Sequence, residues 1–253
     1  MSEALILTGR TLRLSRRQPD AVLTAMILPV LLMLVFVYFF GGAIDTGAGY
    51  TRDQYVMYVT PGVLLLCAGF GSATTAVTVV EDMKQGVIDR FRSLDIGGTP
   101  ILASHVLAST ARNLASTVLV LGAALLIGFR PGATVAGWLA AAGVLLAYIV
   151  AISWLSAAFG LLARSPETAG GFTFLMMFLP YPSSAFVPTE TMPGWLRPFA
   201  EHQPISPVIE TVRGLLLDRP VGSAPWHALA WCGGILAFAI VAAAVLFRNR
   251  TSW

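Results

Sequence analysis

An all-α polytopic membrane protein is the fold class this sequence predicts, and three observations carry the expectation. Of the 253 residues, 56% are hydrophobic and 11% are charged, against roughly 25% charged in an average soluble domain. A water-soluble globule of this size would lack the polar residues needed to cover its surface. The apolar residues also fall into stretches of about twenty, the length a helix needs to cross ~30 Å of hydrocarbon. Finally, the remaining charge is gathered between those stretches, most densely in "EDMKQGVIDRFRSL", residues 81–94.

Six transmembrane helices are expected within one transmembrane domain covering residues 1–253. Before the first, residues 1–20 read as a helix lying along the membrane surface. Arg10, Arg13, Arg16 and Arg17 share one arc, and Leu5, Leu7, Leu12 and Leu14 flank the other. A disordered basic tail is the alternative. The first span runs from about Ala21 to Ala43. It begins only after Asp20 and exceeds the apolar core of a signal peptide, so it is expected to remain in the mature chain. The second covers Tyr55 to Val80, the third about Ala111 to Phe129, and the fourth Ala133 to Ala163, long enough to require tilt, a break or an extension. The fifth, Ala169 to Val187, contains Pro180 and Pro182 and is expected to be broken, because proline frees a carbonyl that a neighbour or water must satisfy. The sixth is about Trp226 to Phe247, and Cys67 and Cys232 sit inside apolar runs as packing residues.

Positive charge sets the orientation. Six spans put both termini on one side, which holds Arg10, Arg13, Arg16, Arg17, Lys84, Arg90, Arg92, Arg112, Arg164, Arg248 and Arg250, against Arg52, Arg130, Arg197, Arg213 and Arg219 opposite. Eleven against five predicts cytoplasmic termini. Arg112 is counted inward on the expectation that it lies in the first turn of the third span and reaches the headgroups. A substrate counter-ion is the other reading.

Read as a helix, the charged segment puts Met83, Val87, Phe91 and Leu94 on one stripe, with Glu81, Asp82, Lys84, Asp89, Arg90 and Arg92 around it. That stripe demands a cover. Its mixed charge disfavours anionic lipid, and a groove on a protein partner fits better.

On the opposite side, residues 183–225 predict two short re-entrant helices. In "PGWLRPF", Pro193 suits a first helical turn and places Trp195 and Phe199 on one side. In "SPVIETVRGLLL", Ser206 reads as N-cap and Pro207 as the first helical residue, with Val208, Val212 and Leu215 as the apolar stripe.

Several chemistries are disfavoured. There is no GxxxxGK[ST], so ATP binding by a P-loop of this chain is not expected. His105, His202 and His227 are far apart and lack neighbours at metal-ligand spacing. The surplus charge of +3 is too small to suggest nucleic acid. No Asp, Glu or His lies at the middle of a predicted span, which argues against an intramembrane enzyme or an ion-coupled carrier.

The run "EDMKQGVIDRFRSLDI" resembles the segment between the second and third spans of the type 2 ABC transporter permease family, and the pattern is nearest to the drug-resistance branch. A second stretch, "SSAFVPTETMPGWLRPFAEHQPISPVIETVRGLL", resembles the extracellular signature of the same family, and the likeness extends over essentially the whole chain. The resemblance implies a coupling helix, in a segment spanning residues 81–99, docked into a cleft of a cytosolic ATP-binding subunit. Glu81, Asp82, Gly86, Asp89, Arg90, Arg92, Ser93 and Leu94 match that motif, and Asp95 stands where relatives commonly have proline. It further implies an extracellular gate region with Phe186, Pro188, Pro193, Trp195 and Phe199, two ATP-binding subunits that carry ATP and magnesium, and a second permease chain in the plasma membrane. The cargo would be a lipophilic drug-like or lipid-like molecule, with a polysaccharide or lipid-linked glycan as the alternative. Phe36, Phe39 and Phe40 on the first span and Phe174, Phe178 and Tyr181 on the fifth are the candidate substrate path, although helix packing accounts for such aromatics equally well.

Overall fold

The computed structural model describes Ile27 and residues 29–40, 52–87 and 98–250. Among these the structure is helix and turn, without a strand. Helix α1, Pro29–Phe39, closes in π-helical form over Val35–Phe40. It is followed by α2 (Arg52–Ala73), α3 (Thr75–Lys84), α4 (Gly98–Ile127), α5 (Val135–Leu162) and α6 (Pro166–Phe178). A 3-10 turn at Thr189–Thr191 leads to α7 (Arg197–His202), α8 (Ile205–Leu216) and α9 (Ala224–Arg250).

Among the described residues, four stretches are long and apolar enough to cross a membrane: Asp53–Lys84, Pro100–Ile127, Val135–Leu162 and Ala224–Arg248. The second, fourth and sixth predicted spans lie within these limits to a few residues. The third starts earlier than expected. Helix α4 begins at Gly98, admits Pro100 in its first turn, and buries Ile101, Leu102, His105 and Val106 before the apolar run opens. Arg112 is therefore near the middle of a 30-residue helix rather than in its first turn. The fifth span is interrupted as expected, since α6 stops at Phe178 and turns occupy residues 179–186 around Pro180 and Pro182. Helix α1 covers part of the first span; the rest of that span and the predicted surface helix at 1–20 lie outside the described residues.

Helix α5 packs against α9, α3, α8, α2 and α4, and α2 is the most enclosed of the long helices. In lipid such association rests on close packing and hydrogen bonds rather than on escape from water, which favours small residues at the contacts. Gly160 of α5 shows why: a Cβ there would stand 2.7 Å from the Ala76 carbonyl of α3. At Gly62 a Cβ would stand 2.7 Å from the Ala185 carbonyl, so α2 and the turn after α6 touch backbone to backbone. Helix ends are satisfied locally. The Thr134 hydroxyl accepts from the Gly137 N–H at 3.1 Å to open α5, and Ser165 caps α6 with Pro166 at its start.

The 32-residue stretch Asp53–Lys84, about 48 Å at 1.5 Å per residue, is a single rod with two weak points. At Pro61 the chain lacks the N–H that the Met57 carbonyl would receive in a regular helix. The adjacent Tyr58 carbonyl is taken by Arg213 Nε of α8 at 3.1 Å, and Arg213 Nη2 donates to the Ser184 carbonyl at 2.5 Å. The guanidinium carbon also sits 3.8 Å from the Tyr58 ring centroid. At Thr74 the rod changes from α2 to α3, and hydroxyls repair the ladder. Thr74 Oγ1 donates to Gly71 O at 2.7 Å, and Thr173 Oγ1 of α6 donates to Ala73 O at 3.2 Å.

Two local expectations fail in residues 183–225. Ser206 is not the cap of α8, which starts one residue earlier; its hydroxyl accepts from the Ser184 N–H at 3.2 Å and donates to the Ala200 carbonyl, tying together three segments. Pro193 precedes α7 rather than entering its first turn, a place taken by Pro198, and the Pro193 carbonyl receives the N–H groups of Leu196 and Arg197 at 2.9 and 3.1 Å. Helix α8 is also more than a surface stripe: every residue of its 205–216 run is buried except Glu210 and Leu215, where it packs on α2, α5 and α9.

Candidate functional site

The Lys84 end of the rod holds the first part of the charged segment. Glu81 and Lys84 are exposed, while Asp82 is partly covered and its Oδ2 lies 3.3 Å from Nε2 of His105 on α4. Met83 packs into a cluster with Leu102, Val106, Leu161 and Phe247, so the end of α3 is seated against α4, α5 and α9. Across the corner, the hydroxyl of Ser165 and the backbone N–H of Glu167 itself hold the Glu167 carboxyl below the ordinary carboxylate range, and Lys84 acts in the same direction.

The expected single stripe from Met83 to Leu94 does not form as one helix. Helix α3 ends at Lys84, and Gly86 takes a left-handed φ of 67°. Its N–H pairs back to the Met83 carbonyl at 3.1 Å, the helix-terminating use that only glycine makes without strain. Glu81 and Asp82 thus belong to the membrane rod, and the turn at Gly86 divides Met83 from Val87. Asp89, Arg90, Arg92, Ser93 and Leu94 lie outside the described residues.

Five aromatic rings from α1, α6 and the turns after it stack in series. Phe174 and Phe178 have centroids 4.5 Å apart, Phe178 and Tyr181 5.5 Å, Tyr181 and Phe186 5.2 Å, and Phe186 and Phe36 4.2 Å. All but the closer Phe186–Phe36 pair lie in the usual range of favourable aromatic pairs. The ladder runs from the exposed faces of Phe174 and Phe178 to the buried Phe186. Four of the six candidate path residues are in it. Phe39 is not, being 77% exposed on the far side of α1, and the side chain of Phe40 lies outside the described residues.

The candidate gate residues divide differently. Phe186 is buried in the ladder, and its carbonyl accepts from Tyr55 Oη at 3.3 Å, so it is tied to the rod as well. Pro188 opens the 3-10 turn. Trp195 and Phe199 project outward at 79% and 52% exposure, as aromatic anchors at a membrane boundary do. Beside them Glu201 pairs with Arg197 at 2.6 Å, across one helical turn.

Sequence reading missed the polar contacts inside the bundle. Asn113 Nδ2 of α4 donates to Ser72 Oγ at 3.2 Å and to the Ser109 carbonyl at 3.0 Å. Thr75 Oγ1 donates to Ser109 Oγ at 2.8 Å, and Ser109 Oγ lies 3.0 Å from Ser153 Oγ of α5. Arg112 Nη2 reaches Thr74 Oγ1 at 3.3 Å. The signal was present: Ser109, Asn113 and Thr117 recur every fourth residue, marking one polar face of a helix.

Comparison with known proteins places this architecture. The model of the ABC-2 type transporter family matches residues 2–217. The daunorubicin resistance ABC transporter permease protein DrrB1 of Streptomyces coeruleorubidus is 28% identical over 217 residues, covering 85% of this chain and 75% of the relative. The probable doxorubicin resistance ABC transporter permease protein DrrC of Mycobacterium tuberculosis is 27% identical over 252 residues, covering 100% of this chain and 90% of the relative. The putative transport permease ycf38 of Porphyra purpurea is 24% identical over 204 residues, covering 78% of this chain and 68% of the relative.

Proposed function

The chain belongs to the ABC-2 type transporter family, and from that premise we propose that it exports a lipophilic, drug-like molecule through a path lined by its aromatic ladder, driven by a separate ATP-binding subunit. It is a membrane protein and the permease component of such a transporter, a component that is not itself the catalytic ATPase. Drug-resistance permeases among its relatives support the cargo class.

One observation carries the mechanism. The Asp53–Lys84 rod touches the aromatic ladder at one end, through Tyr55 and the Phe186 carbonyl, and begins the charged segment at the other. Packed helices move as bodies. A displacement applied beyond Gly86 would therefore swing the Lys84 half of the rod, with the helices packed on it, against the half that Tyr55 ties to the ladder, and so reshape the path between them. The segment at 81–99 is the handle, with Glu81, Asp82, Gly86, Asp89, Arg90, Arg92, Ser93 and Leu94 meeting the ATPase cleft. ATP and magnesium bind on that partner. Phe36, Phe174, Phe178 and Tyr181 face an aromatic cargo by stacking, and Phe186 with Pro188, Pro193, Trp195 and Phe199 forms the outer closure.

The full assembly has six spans, with Pro29–Phe39 in the first and α6 together with its following turns as a broken fifth. Helices α7 and α8 re-enter from outside, both termini are cytoplasmic, and two permease chains pair over two ATPase subunits.

Reconstitution of the chain with its ATP-binding subunit in proteoliposomes tests this reading. Substrate-stimulated hydrolysis and ATP-dependent uptake of an anthracycline into inside-out vesicles are expected; the same uptake by the chain alone, with no nucleotide-hydrolysing protein present, refutes it. Orientation is tested separately by cysteine labelling. G49C should react from outside intact cells and Q85C only after permeabilisation.

A further inference from the structure

The charged segment leaves the bundle from α3 and returns through α4, and among the described residues a polar contact spans the base of that hairpin. Asp82, two residues before the end of α3, places Oδ2 3.3 Å from Nε2 of His105, two turns into α4. The two partners are unequally exposed. His105 is 4% exposed and held beside Leu102 and Val106, whereas the Asp82 side chain is only partly covered. Nδ1 of His105 is buried with no hydrogen-bond partner. The tautomer that carries its proton on Nε2 fits this setting, because it directs its only N–H at the carboxylate and leaves a bare acceptor toward the packed interior.

We propose that His105 is a positioning residue for energy coupling: it grips Asp82 so that the two helices flanking the cytoplasmic segment move as one piece. This rests on the permease reading given above. The physical need for it follows from the turn at Gly86. With α3 ending at Lys84 and a left-handed residue two positions later, no continuous helix carries stiffness across the base of the hairpin. A force applied to the segment can then separate α3 from α4 locally, dissipating the displacement, or swing both together. Apolar contacts around Met83 allow sliding, since they are non-directional. A polar contact between an anchored imidazole and a carboxylate resists sliding, because it weakens as the 3.3 Å separation grows. Among the described residues nearby, Glu81 and Lys84 are exposed, and Lys84 lies toward Glu167.

The experiment uses the full chain with its ATP-binding subunit in proteoliposomes and reads substrate moved per ATP hydrolysed, alongside co-purification of the two proteins. H105A is expected to lower that ratio by roughly five- to tenfold while the ATPase still co-purifies, a loss in the range of ordinary inter-site coupling. H105Q, whose amide nitrogen can stand where Nε2 stood, should recover most of the ratio, which a purely packing role for the ring would not produce. The double variant D82A/H105A should be no worse than D82A, since each removes the same bond. A wild-type ratio in H105A, failure of H105Q to recover, or losses that multiply in the double variant would each overturn the assignment. A wild-type complex without ATP-dependent transport would instead overturn the permease reading on which it rests.

Discussion

The rod Asp53–Lys84 is interrupted twice, and the two interruptions are braced by different chemistry. Beside Pro61 the brace is one long, charged side chain: Arg213, 9% exposed, bonds the neighbouring Tyr58 carbonyl and that of Ser184 and lies over the Tyr58 ring. At Thr74 it is mostly a set of short hydroxyls and an amide, drawn from α2, α3, α4, α5 and α6, each making bonds of 2.7 to 3.2 Å. The first is costly to undo, because one forked donor takes two charge-assisted bonds from buried carbonyls when it is lost. The second can exchange partners at small cost, because interhelical hydroxyl bonds in membranes average about 0.6 kcal/mol. The Pro61 end is therefore built as a fixed anchor beneath the aromatic ladder and the Thr74 end as a place where the rod can bend.

The largest effect expected from this contrast is on stability at the anchor. R213A removes two charge-assisted bonds, one to the Tyr58 carbonyl and one to the Ser184 carbonyl, which keeps Tyr58 Oη as a donor at 2.9 Å, and should cost about 3 kcal/mol, read as a large fall in thermal stability in detergent. R213K should recover only part of it, since an ammonium cannot reproduce the fork. If R213A unfolds no more readily than wild type, the anchor is misassigned. Next in size is G62V, which forces a side chain against the Ala185 backbone; a loss of about 2 kcal/mol is expected from overpacking. At the bend, N113A should cost only about 1 kcal/mol of stability yet change the ratio of transport to hydrolysis. A stability loss as large as that of R213A would erase the distinction between the two ends.

Smaller effects sharpen the picture of the surfaces the rod connects. F178A removes the middle of the exposed half of the ladder and should raise the KM for an aromatic substrate by roughly threefold, equivalent to less than about 1 kcal/mol of stacking. The smallest expected change is at the Lys84 corner. Glu167 is held below its ordinary pKa, so whatever stability its charge confers is present at neutral pH and lost as pH falls through the folded value. S165A removes the hydroxyl that is the main cause of that depression, so the Glu167 titration, followed by carboxyl NMR, should move back toward the usual range. No movement would mean that Ser165 is not the cause.

The helical, membrane-embedded class was legible in the sequence because apolar length and charge placement are set by the bilayer, a constraint that acts on every residue of a span. The Pro180 and Pro182 break was legible for the same reason. What escaped were contacts that depend on which helix lies next to which. Nothing local in Arg213 says that it points inward, because its target carbonyls are 29 and 155 residues away. The early start of α4 was hidden because residues 98–110 mix Ser, His and Thr with apolar side chains and read as a connection until α3 and α5 are there to cover them. At the charged segment, a periodic stripe was visible, and so was Gly86, but periodicity alone does not say that the glycine would take a left-handed φ and stop the helix.

The bend itself can be watched directly. Two spin-label pairs, one joining K84C to R248C near the segment and the other joining D53C to W226C at the anchored end, would be compared between the nucleotide-free and ATP-trapped complexes. The Lys84 pair is expected to shift by more than about 3 Å while the Asp53 pair stays fixed, as a rod that bends at Thr74 requires. Equal shifts at both ends, or movement at the Asp53 end alone, would contradict the assignment of anchor and hinge.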